Sequence, residues 1–84
     1  MEIKLEIPEY TGEGIIYEWE YGFEIKPIIT NGEILITANR AGLISLARQL
    51  LTLAQEDIPV NFHLHYDSDN SLEEGSNELI IQKI

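Results

Sequence analysis

Apolar and polar residues alternate with period two along most of this chain, and with helical period along one stretch. Ile3, Leu5 and Ile7 alternate with Glu2, Lys4 and Glu6; Ile15, Tyr17, Trp19 and Tyr21 alternate with Ile16, Glu18 and Glu20; Phe23 and Ile25 alternate with Glu24 and Lys26. Ile34, Ile36 and Ala38 form a fourth run, Phe62, Leu64 and Tyr66 a fifth, and the Ile-rich Glu78–Ile84 a last one. Such segments read as half-buried strands. Between Arg40 and Gln55 the series Leu43, Leu46, Ala47, Leu50, Leu53, Ala54 follows the i, i+3, i+4, i+7 rule and predicts the one long helix, apolar stripe inward. Asn39 is placed to cap its start, and Pro59 lies beyond its end. Asn31-Gly32 is a hairpin signal, and Gly22 marks a tight turn or bulge. The predicted order is β-β-β-β-α-β-β in a single domain over residues 1–84. A helix of about 16 residues is about 24 Å long and covers only one face of a sheet. The expected fold is therefore an α+β two-layer sandwich: one mostly antiparallel sheet of five to six strands, a single long helix on one face and the other face open.

Charge sharpens this picture. The 84 residues carry 15 acidic and five basic side chains, for a net charge of −10. Residues 1–33 and 56–84 each sum to −6, while residues 34–55 hold only Arg40 and Arg48 and sum to +2. Direct nucleic-acid binding is disfavoured, because phosphate contacts need clustered Lys and Arg. The absence of cysteine excludes disulfides, thiolate metal sites and cysteine nucleophiles. No apolar run is long enough for a membrane span, and Met1–Glu6 lacks the features of a signal peptide, so the expectation is a soluble cytoplasmic protein that does not engage membranes.

The open sheet face should collect the polar half of the strands, chiefly Glu6, Glu18, Glu20 and Glu24, with Glu2, Lys4, Lys26, His63 and His65. Those four glutamates are the candidate partner-binding residues, since an acidic face suits a basic partner; solubility alone is the competing explanation. His63-x-His65-x-Asp67 is the one metal-like spacing, because alternate strand residues project from one face; surface His–Glu pairing is the alternative. A small metal-binding protein or hydrolase built on these three residues is the runner-up function, and a structural module that homodimerises through a sheet edge or open face is a third. No catalytic constellation stands out: Ser45 has no sequence-adjacent base, and Gly12-Glu13-Gly14 precedes no Lys-Ser/Thr pair. Neither a catalytic residue, a resident metal nor a cofactor is expected. Tyr17, Trp19 and Tyr21 share one side of their run, either as packing against the helix or, turned outward, as a binding hot spot. Arg48 is placed to pair with acids at the surface.

The stretch Glu33-Ile34-Leu35-Ile36-Thr37-Ala38-Asn39-Arg40-Ala41-Gly42-Leu43, continuing through the Leu/Ala helix to His63-Leu64-His65 and Gly75-Ser76-Asn77-Glu78-Leu79-Ile80-Ile81, resembles the immunity protein 32 family of bacterial polymorphic toxin systems. The resemblance covers residues 33–84. It implies a non-enzymatic antidote, encoded beside a toxin and acting by binding it. Such toxins are often nucleases with basic active sites, so the partner implied is a basic cognate toxin. The chain itself is expected to be a monomer or weak homodimer, because exposed strand edges favour self-pairing and the net charge opposes it.

Overall fold

Asn31 and Gly32 adopt φ of 50° and 75°, the doubly left-handed turn that suits a two-residue hairpin. They join β1 (Ile25–Thr30) to β2 (Glu33–Ala38) in unbroken antiparallel register, Ile25 opposite Ala38 and Thr30 opposite Glu33. The computed structural model describes residues 1–84 and continues with α1 (Arg40–Leu53), β3 (His63–Tyr66) and β4 (Leu79–Gln82). β3 and β4 form a second antiparallel hairpin, with His63 opposite Gln82.

Asn39 does cap α1. Its backbone is extended, and its side-chain oxygen accepts the Gly42 N–H at 2.8 Å and the Glu24 N–H at 3.0 Å. Its amide nitrogen donates to the Gly22 carbonyl at 2.9 Å, so one side chain ties the helix start to the turn before β1. Gly42 is required at this junction: a Cβ there would drive into the Glu24 carbonyl oxygen and the Ile25 side chain. At the other end Lys83 Nζ donates to the carbonyls of Gln55 and Ile58 at 2.6 and 2.7 Å, satisfying acceptors just past the helix terminus.

The helix is rotated from the expectation: Leu53 is buried and Leu46 packs against the core as expected, but the rest of the leucine stripe is displaced from the interior by polar residues. Its buried residues are Gly42, Ser45, Gln49, Thr52 and Leu53, whereas Leu43, Leu50 and Leu51 are exposed. The inward polar stripe holds the N-terminal segment. Ser45 Oγ accepts the Glu20 N–H at 2.8 Å, and Gln49 Nε2 donates to the Glu18 carbonyl at 2.9 Å. Gln55 accepts the Tyr10 N–H at 3.2 Å and donates to the Pro8 carbonyl at 2.8 Å. On its far side Gln49 Oε1 accepts the Tyr66 hydroxyl at 2.6 Å, with both residues fully buried. The core around them is small: Ile25, Leu53, Ile58, Leu64, Tyr66 and Leu72, with Trp19 and Phe23 packed against it.

The runs Ile3–Ile7 and Ile15–Tyr21 are not strands; in the second, the Glu18 carbonyl and the Glu20 N–H meet side chains of α1, and Gly12, Gly14 and Gly22 flank it at positive φ. Nor is there one sheet of five to six strands beneath one helix. The four strands form two separate two-stranded sheets. The outer edge of β1 is occupied by the 73–77 loop, where Glu73 N–H donates to the Ile25 carbonyl and Asn77 N–H to the Pro27 carbonyl. The second hairpin therefore cannot extend the first there. The single open face expected to collect the polar residues is absent along with that sheet.

Burial holds the Tyr66 phenol above its ordinary value, and neighbouring Tyr17 adds to the effect. An unfolded tyrosine ionises near about pH 10. The native state thus keeps this proton longer, so the contribution is complete below about pH 10 and is lost as pH rises beyond it. Tyr66→Phe should lower stability at neutral pH by about 1–3 kcal/mol, because Gln49 Oε1 loses its donor. It should also flatten the fall in stability above pH 10. Urea midpoints measured across neutral and alkaline pH check both.

Candidate functional site

Residues 15–21 lie across α1 as an extended strap, fixed by Ser45 and Gln49. Trp19 points inward, stacking on Phe23 with centroids 4.2 Å apart and meeting Tyr66 edge-on at 6.0 Å. Tyr21 is fully exposed, because the turn at residues 21–22 ends the alternation that would have turned it the same way. Tyr17 lies between these extremes. Its hydroxyl accepts the His65 N–H at 3.1 Å, and its ring stands as a ridge between two clefts. One, about 380 Å³, is lined by Tyr17, Trp19, His65, Asn70 and Ser71. The other, about 320 Å³, is lined by Ile15, Tyr17, Asn61, Phe62 and His63. The aromatic run is thus divided into a core anchor, a half-exposed ridge and a free ring.

The loop behind the first cleft is held by Asp67, whose Oδ1 accepts the N–H groups of Asp69 and Asn70 at 3.0 and 2.9 Å. This is the local capping that Asp and Asn provide in turns. One step past the last β3–β4 pair, Tyr66 opposite Leu79, Asp67 faces Glu78. Side chains of His65, Asp67 and Glu78 bring one ligand-type atom each to within 4.8 Å of one another. His65 Nε2 lies 3.8 Å from Glu78 Oε2, an ion pair only when the imidazole carries its second proton. The strand spacing therefore chose the wrong third residue. His63 projects away toward the second cleft, with its ring 6.5 Å from that of His65, and Glu78 takes its place from the neighbouring strand. A transition-metal ion needs bonds of about 2.0–2.2 Å, so these donors would have to close in further to hold one.

The four glutamates expected at a partner surface fall into two pairs. Glu18 and Glu20 flank Arg48 of α1, at 4.0 Å from Nε and 3.0 Å from Nη2 respectively. Arg48 is mostly covered, so this clasp is part of how the strap is fixed. Glu6 and Glu24 are exposed and have no basic group within ion-pair distance. Sequence reasoning did not find Gln49 or Glu78. The signal for Gln49 was present: Ser45, Gln49 and Thr52 lie at i, i+4 and i+7, an uncharged polar stripe with the same period as the leucines. Glu78 becomes visible only when the β3–β4 register is known.

A protein-family model described as immunity protein 32 matches residues 33–84. The match takes in β2, α1, β3 and β4, and leaves out the strap and β1. No curated protein and no solved structure matches the chain.

Arg48→Ala should reduce stability by about 1–2 kcal/mol, through the lost clasp and the lost packing of its stem. Arg48→Lys should recover only part, since a compact ammonium cannot bridge two carboxylates as a guanidinium does. Denaturant unfolding of the two variants checks this; an unchanged midpoint for Arg48→Ala would show that the clasp does not hold the strap.

Proposed function

The chain belongs to the immunity protein 32 family, and from that premise we propose that it binds and neutralises a cognate bacterial toxin without catalysis of its own. The observation that carries the proposal is the family match itself; the charge distribution supports the manner of binding. Glu6, Glu18, Glu20 and Glu24 all lie on or beside the N-terminal segment, whose position is fixed by Gln49, Ser45 and Arg48. Glu18 and Glu20, held by Arg48 before the encounter, lose less conformational freedom on docking than free carboxylates, and Glu6 and Glu24 add unpaired charge. A net charge of −10 accelerates approach of a basic partner, and the complementary field selects against acidic ones. A nuclease is the toxin class that fits best, since its site is built for a polyanion and a row of carboxylates can stand in for phosphates there. Within this surface Tyr17 is the natural anchor, a half-exposed aromatic between two clefts. The setting proposed is the cytoplasm of the toxin-producing cell. No helix is long and apolar enough to cross a membrane.

The test is binding of the purified chain to the protein encoded beside it. Tight binding and loss of toxin activity are expected. The double variant Glu6→Lys, Glu24→Lys leaves the Arg48 clasp intact and should slow association by about tenfold at low salt, with a weaker dependence on ionic strength. Unchanged association would move the docking face elsewhere; absence of binding to any neighbouring gene product would contradict the function.

A further inference from the structure

The first hairpin carries its apolar face beyond the core that the chain can provide. Residues paired across β1 and β2 share a face, so Ile25, Pro27 and Ile29 lie on the same side as Ala38, Ile36 and Ile34. The near half of that face is buried at Ile25 and Pro27. The far half is open, with Ile29 60%, Ile34 70% and Ile36 42% exposed, and Leu35 on the reverse face is 54% exposed. β2 is also a free edge. One side pairs with β1, and no backbone group of residues 33–38 bonds to anything else. The outer edge of β1, by contrast, is covered by the 73–77 loop. Proteins ordinarily guard an open edge with Lys, Pro or a bulge. β2 has none of these, and its one charged residue, Glu33, sits at its end.

We propose that β2 is the seam of a symmetric homodimer, in which a second copy lays its own β2 antiparallel against this edge and the two hairpins become one four-stranded sheet. An antiparallel pairing of identical strands is self-complementary and closes on itself, as a two-fold interface must. Charge favours a second copy at this place. Two chains of −10 repel over most of their surfaces, but residues 34–55 contain no carboxylate and sum to +2. β2 against β2 is thus an approach that brings together the least acidic part of each chain, and it sets each Glu33 at the far end from its counterpart. A compact monomer of 9.6 kDa exposes about 5,100 Å² by the usual scaling. This chain exposes 6034 Å² and buries only 11 of its 84 residues. Part of that excess is the open half of the first hairpin, at Ile29, Ile34, Leu35 and Ile36, and the rest is spread over side chains elsewhere such as Met1, Tyr21 and Ile84. The dimer leaves Glu6, Glu18 and Glu20 outside the seam and does not depend on the toxin reading.

Sedimentation equilibrium of the whole chain decides the matter. A species of twice 9.6 kDa is expected at low micromolar concentration. Ile34→Lys and Ile36→Lys, each on an exposed side chain, should weaken self-association by about tenfold or more while leaving the far-UV circular dichroism of the monomer intact. Should either variant misfold, hydrogen exchange in the unmodified chain provides the same test: the amides of Glu33–Ala38 not bonded to β1 should gain protection as concentration rises. A monomer at the highest soluble concentration, a dimer indifferent to both substitutions, or protection independent of concentration would overturn the proposal. So would a monomer in which Ile34→Lys abolishes toxin binding, since the face would then belong to the toxin.

Discussion

Gln49 lies with no exposed surface between the Glu18 carbonyl and the Tyr66 hydroxyl, and the rest of the architecture is arranged around those two hydrogen bonds. A buried amide left without partners costs more than most single contacts contribute, so a helix that turns Gln49 inward must bring it both a donor and an acceptor. The acceptor is the backbone of the N-terminal strap, which has no strand to pair with. The donor is a core tyrosine of β3. One side chain thereby joins three parts of the chain that are distant in sequence. Ser45 repeats the arrangement at Glu20 of the strap, and Gln55 does the same for Pro8 and Tyr10 before it, each supplying a side-chain partner to backbone groups that a sheet would otherwise satisfy.

A second consequence concerns the opposite side of the helix. A helix that spends Ser45, Gln49 and Thr52 on the interior beside Leu53 leaves part of its leucine stripe outside, so Leu43, Leu50 and Leu51 meet solvent in a chain with few buried side chains. The polar seam and the exposed apolar surface are one fact seen from two sides. They divide the molecule by chemistry: carboxylates on the strap that the polar stripe fixes in place, and the acid-free residues 34–55 that run through most of β2 and all of α1. Two surfaces of such different character suit two different partners.

Local signals were legible in the sequence wherever the cause was local. Asn31-Gly32 specified its turn, Asn39 its cap, and the leucine period placed a helix at Arg40–Gln55, where the structure has Arg40–Leu53. The resemblance over residues 33–84 coincides with the family match. What failed depended on partners chosen at long range. Period-two alternation in Ile15–Tyr21 describes an extended chain, but whether its backbone meets a strand or a row of helix side chains is decided by Ser45 and Gln49, about 25–31 residues away. The same ambiguity rotated the helix, because leucines and uncharged polar residues both recur at helical spacing, and Ser45, Gln49 and Thr52 share the interior with Leu46 and Leu53. In the His65 cluster the error was of another kind: a within-strand spacing nominated His63, whereas the neighbouring strand supplied Glu78.

The polar seam is tested most directly by amide hydrogen exchange along residues 1–24 of the native protein. The Glu20 amide, held by Ser45 Oγ at 2.8 Å, should exchange far more slowly than the exposed amides of Thr11 and Glu13. In a Gln49→Leu variant that protection should collapse while the amides within β1–β2 keep theirs. Uniformly fast exchange across the whole segment in the unmodified protein would contradict the seam, and with it the reason for the outward-facing leucines.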